Sequence, residues 1–183
     1  MLVNLRALFV RLIDIVLLRS GPEQLPASPG LLTIVVAMNV AVSAIVYSLL
    51  AKPPLHWQLQ LLVGTVVTLV WFRVAFGFVN KPERFLQTSA AVFGTNTLFV
   101  PALIPMVAEL LPFLEKPEPT ASPPALLSLL AAVLGIWLLT VQVRIVRAAF
   151  EWHFIAAIIF IFGMNFASAL VYGMLFGVPA KPG

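Results

Sequence analysis

Leu31-Leu-Thr-Ile-Val-Val-Ala-Met-Asn-Val-Ala-Val-Ser-Ala-Ile-Val-Tyr-Ser-Leu-Leu50 contains no charged residue, and its polar side chains are those of Thr33, Asn39, Ser43, Tyr47 and Ser48. A helix rises about 1.5 Å per residue, so about 20 apolar residues cover the roughly 30 Å of a bilayer's hydrocarbon core. This stretch therefore reads as a membrane span. Working outward, four more runs of the same character occupy residues 59–79, 88–107, 125–143 (as helix, to 147) and 154–178, and Arg73 is the one charge inside the apolar runs. Hydrophobic residues make up 61% of the 183-residue chain and charged residues 10%, which excludes an ordinary soluble domain. The connecting segments are too short to hold a water-soluble core. The expected fold is an all-α, five-transmembrane-helix bundle. Residues 1–30 form a cytoplasmic or interfacial amphipathic segment, 31–178 a single membrane domain, and 179–183 an exoplasmic tail.

Basic residues beside the spans fix orientation, because they stay on the cytoplasmic side. With a cytoplasmic amino terminus, the inner segments hold Arg6, Arg11, Arg19, Lys81, Arg84, Arg144 and Arg147, and Arg73 lies near the inner end of the second span. The outer segments hold only Lys52, Lys116 and Lys181, a division of eight against three. Five spans then place the carboxyl terminus outside. The outer segment Glu109-Leu-Leu-Pro-Phe-Leu-Glu115-Lys-Pro-Glu118 is acidic and proline-rich, as befits an exoplasmic loop. The net charge of +4 follows from this topology and does not point to nucleic acid. There is no cysteine, so thiol chemistry and thiolate metal sites are excluded. An enzyme needs a nucleophile and base, paired acids or a metal cluster. Glu151 and His153 are neighbours without a serine or third ligand to join them, and His56 belongs to the opposite side. The chain is expected to be non-enzymatic, with no cofactor and no metal.

The amino-terminal segment is not a secretory signal, because Asp14 breaks its short apolar run and no small-residue cleavage pattern follows. Asn4, Arg11 and Asp14 fall near one face of a helical projection, with Leu5, Leu8, Phe9, Leu12 and Ile15 elsewhere. That pattern is a helix lying in the inner interface, ended by Ser20-Gly-Pro22, with Pro26 and Pro29 keeping the chain extended up to the first span.

Polar residues inside apolar runs are costly in lipid and face other helices. Asn39 and Asn96 each lie eight residues into an outward-running span, about 12 Å from the inner boundary, and Asn165 lies about one turn deeper. Together they read as one interhelical hydrogen-bonded layer, either helix glue or a mid-membrane binding site. Pro101, Pro105 and Pro112 interrupt the third span, where each removes a backbone donor. A broken helix beside Asn96 is the motif of a small transporter or channel, the competing reading, which requires a continuous polar cavity through Asn39, Asn96 and Asn165. No internal repeat relates the spans. Ala169, Gly173 and Gly177, spaced by four, and Ala37 with Ala41, are rows of small residues suited to close helix packing within the bundle or between copies.

The most suggestive charges sit at the inner boundary. Arg144 and Arg147 share a helix side, Glu151 lies four beyond Arg147, and Trp152 and His153 follow as interface residues. Arg73, Lys81 and Arg84 emerge on the same side. Topology and snorkelling account for these charges; a basic pocket for anionic lipid headgroups, or for a partner, is the functional reading.

The span count, the cytoplasmic amino terminus and the short loops resemble the bacterial branch of the Yip family, the Ypt/Rab-interacting five-span membrane proteins. The local echoes are Glu83-Arg-Phe-Leu-Gln-Thr88 with Gly94-Thr95, and Ile136-Trp137 running through Arg144-Ile-Val-Arg147-Ala-Ala-Phe to the last span. The resemblance covers most of 31–178 and implies the fold and a non-enzymatic membrane role. Together with the residues, it leads us to expect a membrane scaffold or accessory subunit that associates with membrane lipid, with another membrane protein or with itself, in a bacterial inner membrane. The family's acidic-aromatic Tyr-Gly-Pro motif is lacking, Arg19-Ser-Gly-Pro22 being a faint remnant, so GTPase binding does not carry over.

Overall fold

The computed structural model describes residues 5–115 and 122–177. Asn4, Lys116, Val178 and the tail 179–183, all part of the sequence reading, lie outside the described residues. Six α-helices follow one another: α1 Leu5–Val16, α2 Pro29–Leu49, α3 Trp57–Phe78, α4 Phe85–Glu115, α5 Ala125–Phe150 and α6 Phe154–Phe176, with 3-10 turns at Pro22–Gln24 and Pro82–Arg84. There is no strand among the described residues. Five of the helices are long and apolar enough to cross a membrane, so the chain is an all-α integral membrane protein.

Local chemistry explains where the helices begin and end. Ser28 caps α2, accepting from the Leu31 N–H at 3.4 Å, and Pro29 takes the first position, where a missing N–H costs nothing. After α3, Asn80 enters the left-handed region (φ 54°) and Lys81 N–H donates to the Phe76 carbonyl at 3.1 Å, closing the helix as a Schellman turn does. α4 continues through Pro101, Pro105 and Pro112 as one helix. It outruns the 88–107 span read from sequence by about one turn at its start and two at its end. α5 ends three residues beyond Arg147, at Phe150.

α4 is the central helix. In its most apolar window 44% of residues are buried, against 11–28% in the other four spans. From Thr88 to Thr95 every residue is buried, and small side chains make that possible. Thr88, Thr95 and Thr97 turn their hydroxyls back to carbonyls of their own helix at 2.8–2.9 Å, which satisfies them without a partner helix. α2 presents Leu31, Val35, Asn39, Ser43 and Val46 as its buried face, and Ala37 and Ala41 are exposed on another. The apolar face of α1 meets protein: Leu8, Leu12 and Ile15 are buried in the same core as Ala90, Val92 and Val143.

Candidate functional site

The site is built around the link from α5 to α6. Glu151 adopts the left-handed conformation (φ 61°, ψ 32°) and its N–H donates to the Arg147 carbonyl at 2.8 Å. A non-glycine residue there is uncommon, and its side chain has a use. The Glu151 carboxylate meets Lys81 Nζ at 2.9 Å and Arg84 Nη1 at 2.8 Å. Hydrogen bonds from Lys81, then Arg84, hold its carboxyl below the usual carboxylate range. Arg84 Nη1 also donates to the Ala149 carbonyl at 3.0 Å and, more weakly, to Ala148 at 3.4 Å. These are carbonyls that the end of α5 leaves without a helical partner, and a cation is the favoured neighbour for them.

Stacked rings lie behind this link. Phe150 stacks on Phe76 at 4.2 Å and 12°, Trp152 stacks on Phe150 at 4.5 Å, and Phe160 meets Phe72 edge-on at 5.3 Å. Such pairs hold ring positions as well as burying area. They fix Trp152 beside the ion-paired turn.

Arg144 and Arg147 have a different situation. Both are exposed, and among the described residues neither makes an ion pair. With Ala148, Glu151 and Trp152 they line an open cleft of about 350 Å³. The one carboxylate in that cleft is already matched by two cations from the α3–α4 connection, so the cleft keeps two uncompensated guanidinium groups beside an indole. Chemically it is suited to an anion with several acceptor oxygens.

The structure thus divides the five basic residues expected to act together. Lys81 and Arg84 neutralise Glu151. Arg73 is exposed with its guanidinium 5.7 Å from the Phe85 ring centroid, at cation–π distance, and does not line the cleft. Arg144 and Arg147 alone are left for an external anion.

The three amides do not form one layer. Asn39 Nδ2 donates to Thr97 Oγ1 at 3.3 Å, Asn96 Oδ1 accepts from Gln142 Nε2 at 3.0 Å, and Asn165 Nδ2 donates to the Ile161 carbonyl of its own helix at 2.9 Å. Asn39 is buried and Asn165 exposed. Depth along the chain put them together, but the rotation of each helix sends them to separate neighbours. Ala169 and Gly177 are exposed, and a Cβ added at Gly173 or Gly177 would meet nothing within 4 Å. That row therefore serves no close packing among the described residues. The close approaches are elsewhere: a Cβ at Gly94 would run into the Leu12 side chain, and one at Gly163 would lie 3.2 Å from Trp71.

Sequence reading passed over Thr97 and Gln142, the partners of Asn39 and Asn96. Gln142 was visible as a second amide-bearing residue late in an apolar run; Thr97 had no distinguishing signal. Among the described residues no three His, Cys, Asp or Glu side chains come together as a metal site. Compared with known proteins, the chain matches no family model, no curated protein and no solved structure.

Proposed function

We propose that this protein is a non-enzymatic integral membrane scaffold or accessory subunit that engages anionic lipid headgroups through Arg144 and Arg147. The observation that carries the reading is the pairing pattern at one end of the bundle. Lys81 and Arg84 are taken up by Glu151 at 2.9 and 2.8 Å, and the two arginines across the same cleft are not. A phosphate at the membrane surface supplies the missing charge, and Trp152 suits the headgroup level. Gathering of basic residues at this end supports its being cytoplasmic; of the segments resembling the Yip family, 136–150 supplies Arg144, Arg147 and Ala148 to the cleft, and 83–88 supplies Arg84, which pairs with Glu151. A carrier is the weaker reading, because its polar path would run through amides that here bond to three unrelated partners.

The test is lipid mass spectrometry of protein purified gently from native membranes. The double variant Arg144→Gln, Arg147→Gln should lose most co-purifying anionic phospholipid while keeping its topology. Lys52→Gln, at the opposite end, should retain it. Unchanged anionic lipid in the double variant refutes the reading.

A further inference from the structure

The amino-terminal 21 residues of the described chain, 5–25, do more than rest on the bundle. α1 descends along α4 and α5. Leu12 is seated against Gly94, nine residues and so about 13 Å along α4 from its first residue. At the end of α1, Trp137 Nε1 donates to the Val16 carbonyl at 3.0 Å. Trp137 lies seven residues, about 10 Å, from Arg144 toward the middle of α5. The chain then reverses at Leu18 (φ 60°) and climbs back. Arg11 Nη1 donates to the Gln24 carbonyl at 2.6 Å, and Gln87 Nε2, near the start of α4, donates to the Leu25 carbonyl at 2.7 Å.

Two independent features fit this hairpin to hydrocarbon. Irregular backbone at membrane depth must satisfy its own polar groups. The N–H groups of residues 17 to 20 all do so, donating to Ile13, Ile15, Asp14 and Asp14. The side of the hairpin turned away from the bundle also carries apolar side chains: Phe9 and Val10 on α1 and Leu17 just past its end are 52%, 51% and 44% exposed, alongside the exposed Arg6 and Arg11 nearer the headgroups. Arg19, exposed on the turn, has a stem long enough to reach back toward the headgroups.

We propose that residues 5–25 form a re-entrant hairpin inserted in the arginine-rich leaflet alone, its outer face against that leaflet's acyl chains, and that this one-sided wedge draws the protein to bilayers curved so as to expand that leaflet. Among the described residues, the hairpin adds cross-section to one half of the bundle and no segment beyond the five spans does so in the other. Partitioning of a leaflet-inserted amphipathic segment depends on curvature. The proposal rests on the reading of the chain as a membrane scaffold and is independent of anion binding by Arg144 and Arg147.

Because the chain has no cysteine, single cysteines can be placed at Arg6, Phe9, Leu17 and Val133 without background changes. The full chain is spin-labelled and reconstituted in phosphatidylethanolamine–phosphatidylglycerol vesicles. Labels at Phe9 and Leu17 should be accessible to oxygen and shielded from an aqueous nickel chelate, as at lipid-facing Val133, and a label at Arg6 should be open to nickel. Nickel access at Leu17 equal to that at Arg6 overturns the insertion. For curvature, an impermeant dye on Arg6→Cys marks only copies with the arginine-rich end outward in giant vesicles, from which membrane tubes are pulled. A several-fold higher protein-to-lipid ratio on tubes is expected, and equally in the Arg144→Gln, Arg147→Gln background. Equal density on tube and vesicle overturns the wedge, and enrichment lost only with the two arginines assigns sorting to headgroup binding instead.

Discussion

Leu12 and Gly94 form the contact whose perturbation is most informative, because two substitutions there should change sign in each other's presence. Leu12 is fully buried. A methyl at position 94 would fall inside contact distance of one Leu12 terminal carbon, 2.9 Å from the other and 3.2 Å from Cγ. Gly94→Ala alone gains about 1 kcal/mol of helix propensity but forces Leu12 from its seat, an overpacking cost of about 1–3 kcal/mol. Leu12→Ala alone leaves a cavity and loses about 2–5 kcal/mol. In the double variant the new methyl enters the space that Leu12 vacated, and its contact with α1 restores part of the lost packing. Gly94→Ala should therefore destabilise α1 docking in the natural background and stabilise it in the Leu12→Ala background. The coupling should come close to the overpacking cost, about 1–3 kcal/mol, inside the range of about 0.5–3 kcal/mol found for residues in contact. Amide exchange of α1, followed by mass spectrometry in mild detergent, reads the local opening directly. At about 1.4 kcal/mol per tenfold, Leu12→Ala should speed exchange at least about thirtyfold, and adding Gly94→Ala should slow it again. If Gly94→Ala has the same effect in both backgrounds, α1 is not seated on α4 as described.

Other perturbations test separate parts of the architecture. The Glu151 carboxyl is held low by Lys81 and Arg84, so its stabilising contribution is complete above the unfolded carboxyl pKa and is lost as pH falls through the depressed folded value. Thermal midpoints of the natural chain should drop toward those of Glu151→Gln only below the ordinary carboxylate range, and parallel curves would show that the ion pairs do not form. Asn39→Leu should cost on the order of 0.6 kcal/mol, the average for a membrane interhelical hydrogen bond, because Thr97 keeps its own bond to the Phe93 carbonyl at 2.8 Å. A loss of several kcal/mol by steric-trap unfolding would mean that Asn39 anchors a larger polar network. Trp137→Phe leaves the Val16 carbonyl without its indole donor, at a cost of about 1–3 kcal/mol if that carbonyl faces hydrocarbon rather than water. Exchange should quicken in the last turn of α1 and not in α3, and uniform change would contradict the local contact.

The spans were legible because their signal is length and apolarity, and bilayer thickness converts both directly into helices. The first span differs from α2 by two residues at its start and one at its end. The link between the last two spans was illegible for a specific reason: its left-handed residue is Glu151 rather than a glycine, and what justifies it is a salt bridge to residues 67 and 70 positions earlier. The same limit hid the division of the basic residues. Charge and side of the membrane can be read from spacing, but which cation Glu151 takes depends on where the α3–α4 connection passes. Packing faces failed in the same way. Small-xxx-small spacing marks Ala169, Gly173 and Gly177 as capable of close approach, yet it is Gly94, four places after Ala90 in a row the sequence reading passed over, that Leu12 occupies. The amphipathic character of α1 was visible, and its second apolar face was not, because Phe9, Val10 and Leu17 look like scatter until Leu8, Leu12 and Ile15 are known to be covered by protein.

Burial is distributed unevenly along the bundle, and that asymmetry bears on how a scaffold of this build would work. The buried residues of α3 are Phe72 and Phe76; those of α5 run from Val141 to Phe150; those of α6 run from Ala157 to Met164. All belong to the half next to Arg144 and Arg147. There the α1 hairpin, the stacked rings and the Glu151 ion pairs reinforce one another. Toward the other end the buried residues of α3, α5 and α6 give out, and α4 carries its three prolines. Since lipid chains are as apolar as the side chains they meet, loose packing in that half costs little until a better-fitting surface displaces them. A membrane partner therefore gains most by filling the open half. The cleft proposed for headgroups and the residue 5–25 hairpin, set in the tightly packed half, can keep their geometry while that happens. Position in the membrane and association with a partner would then be governed by different ends of the same bundle.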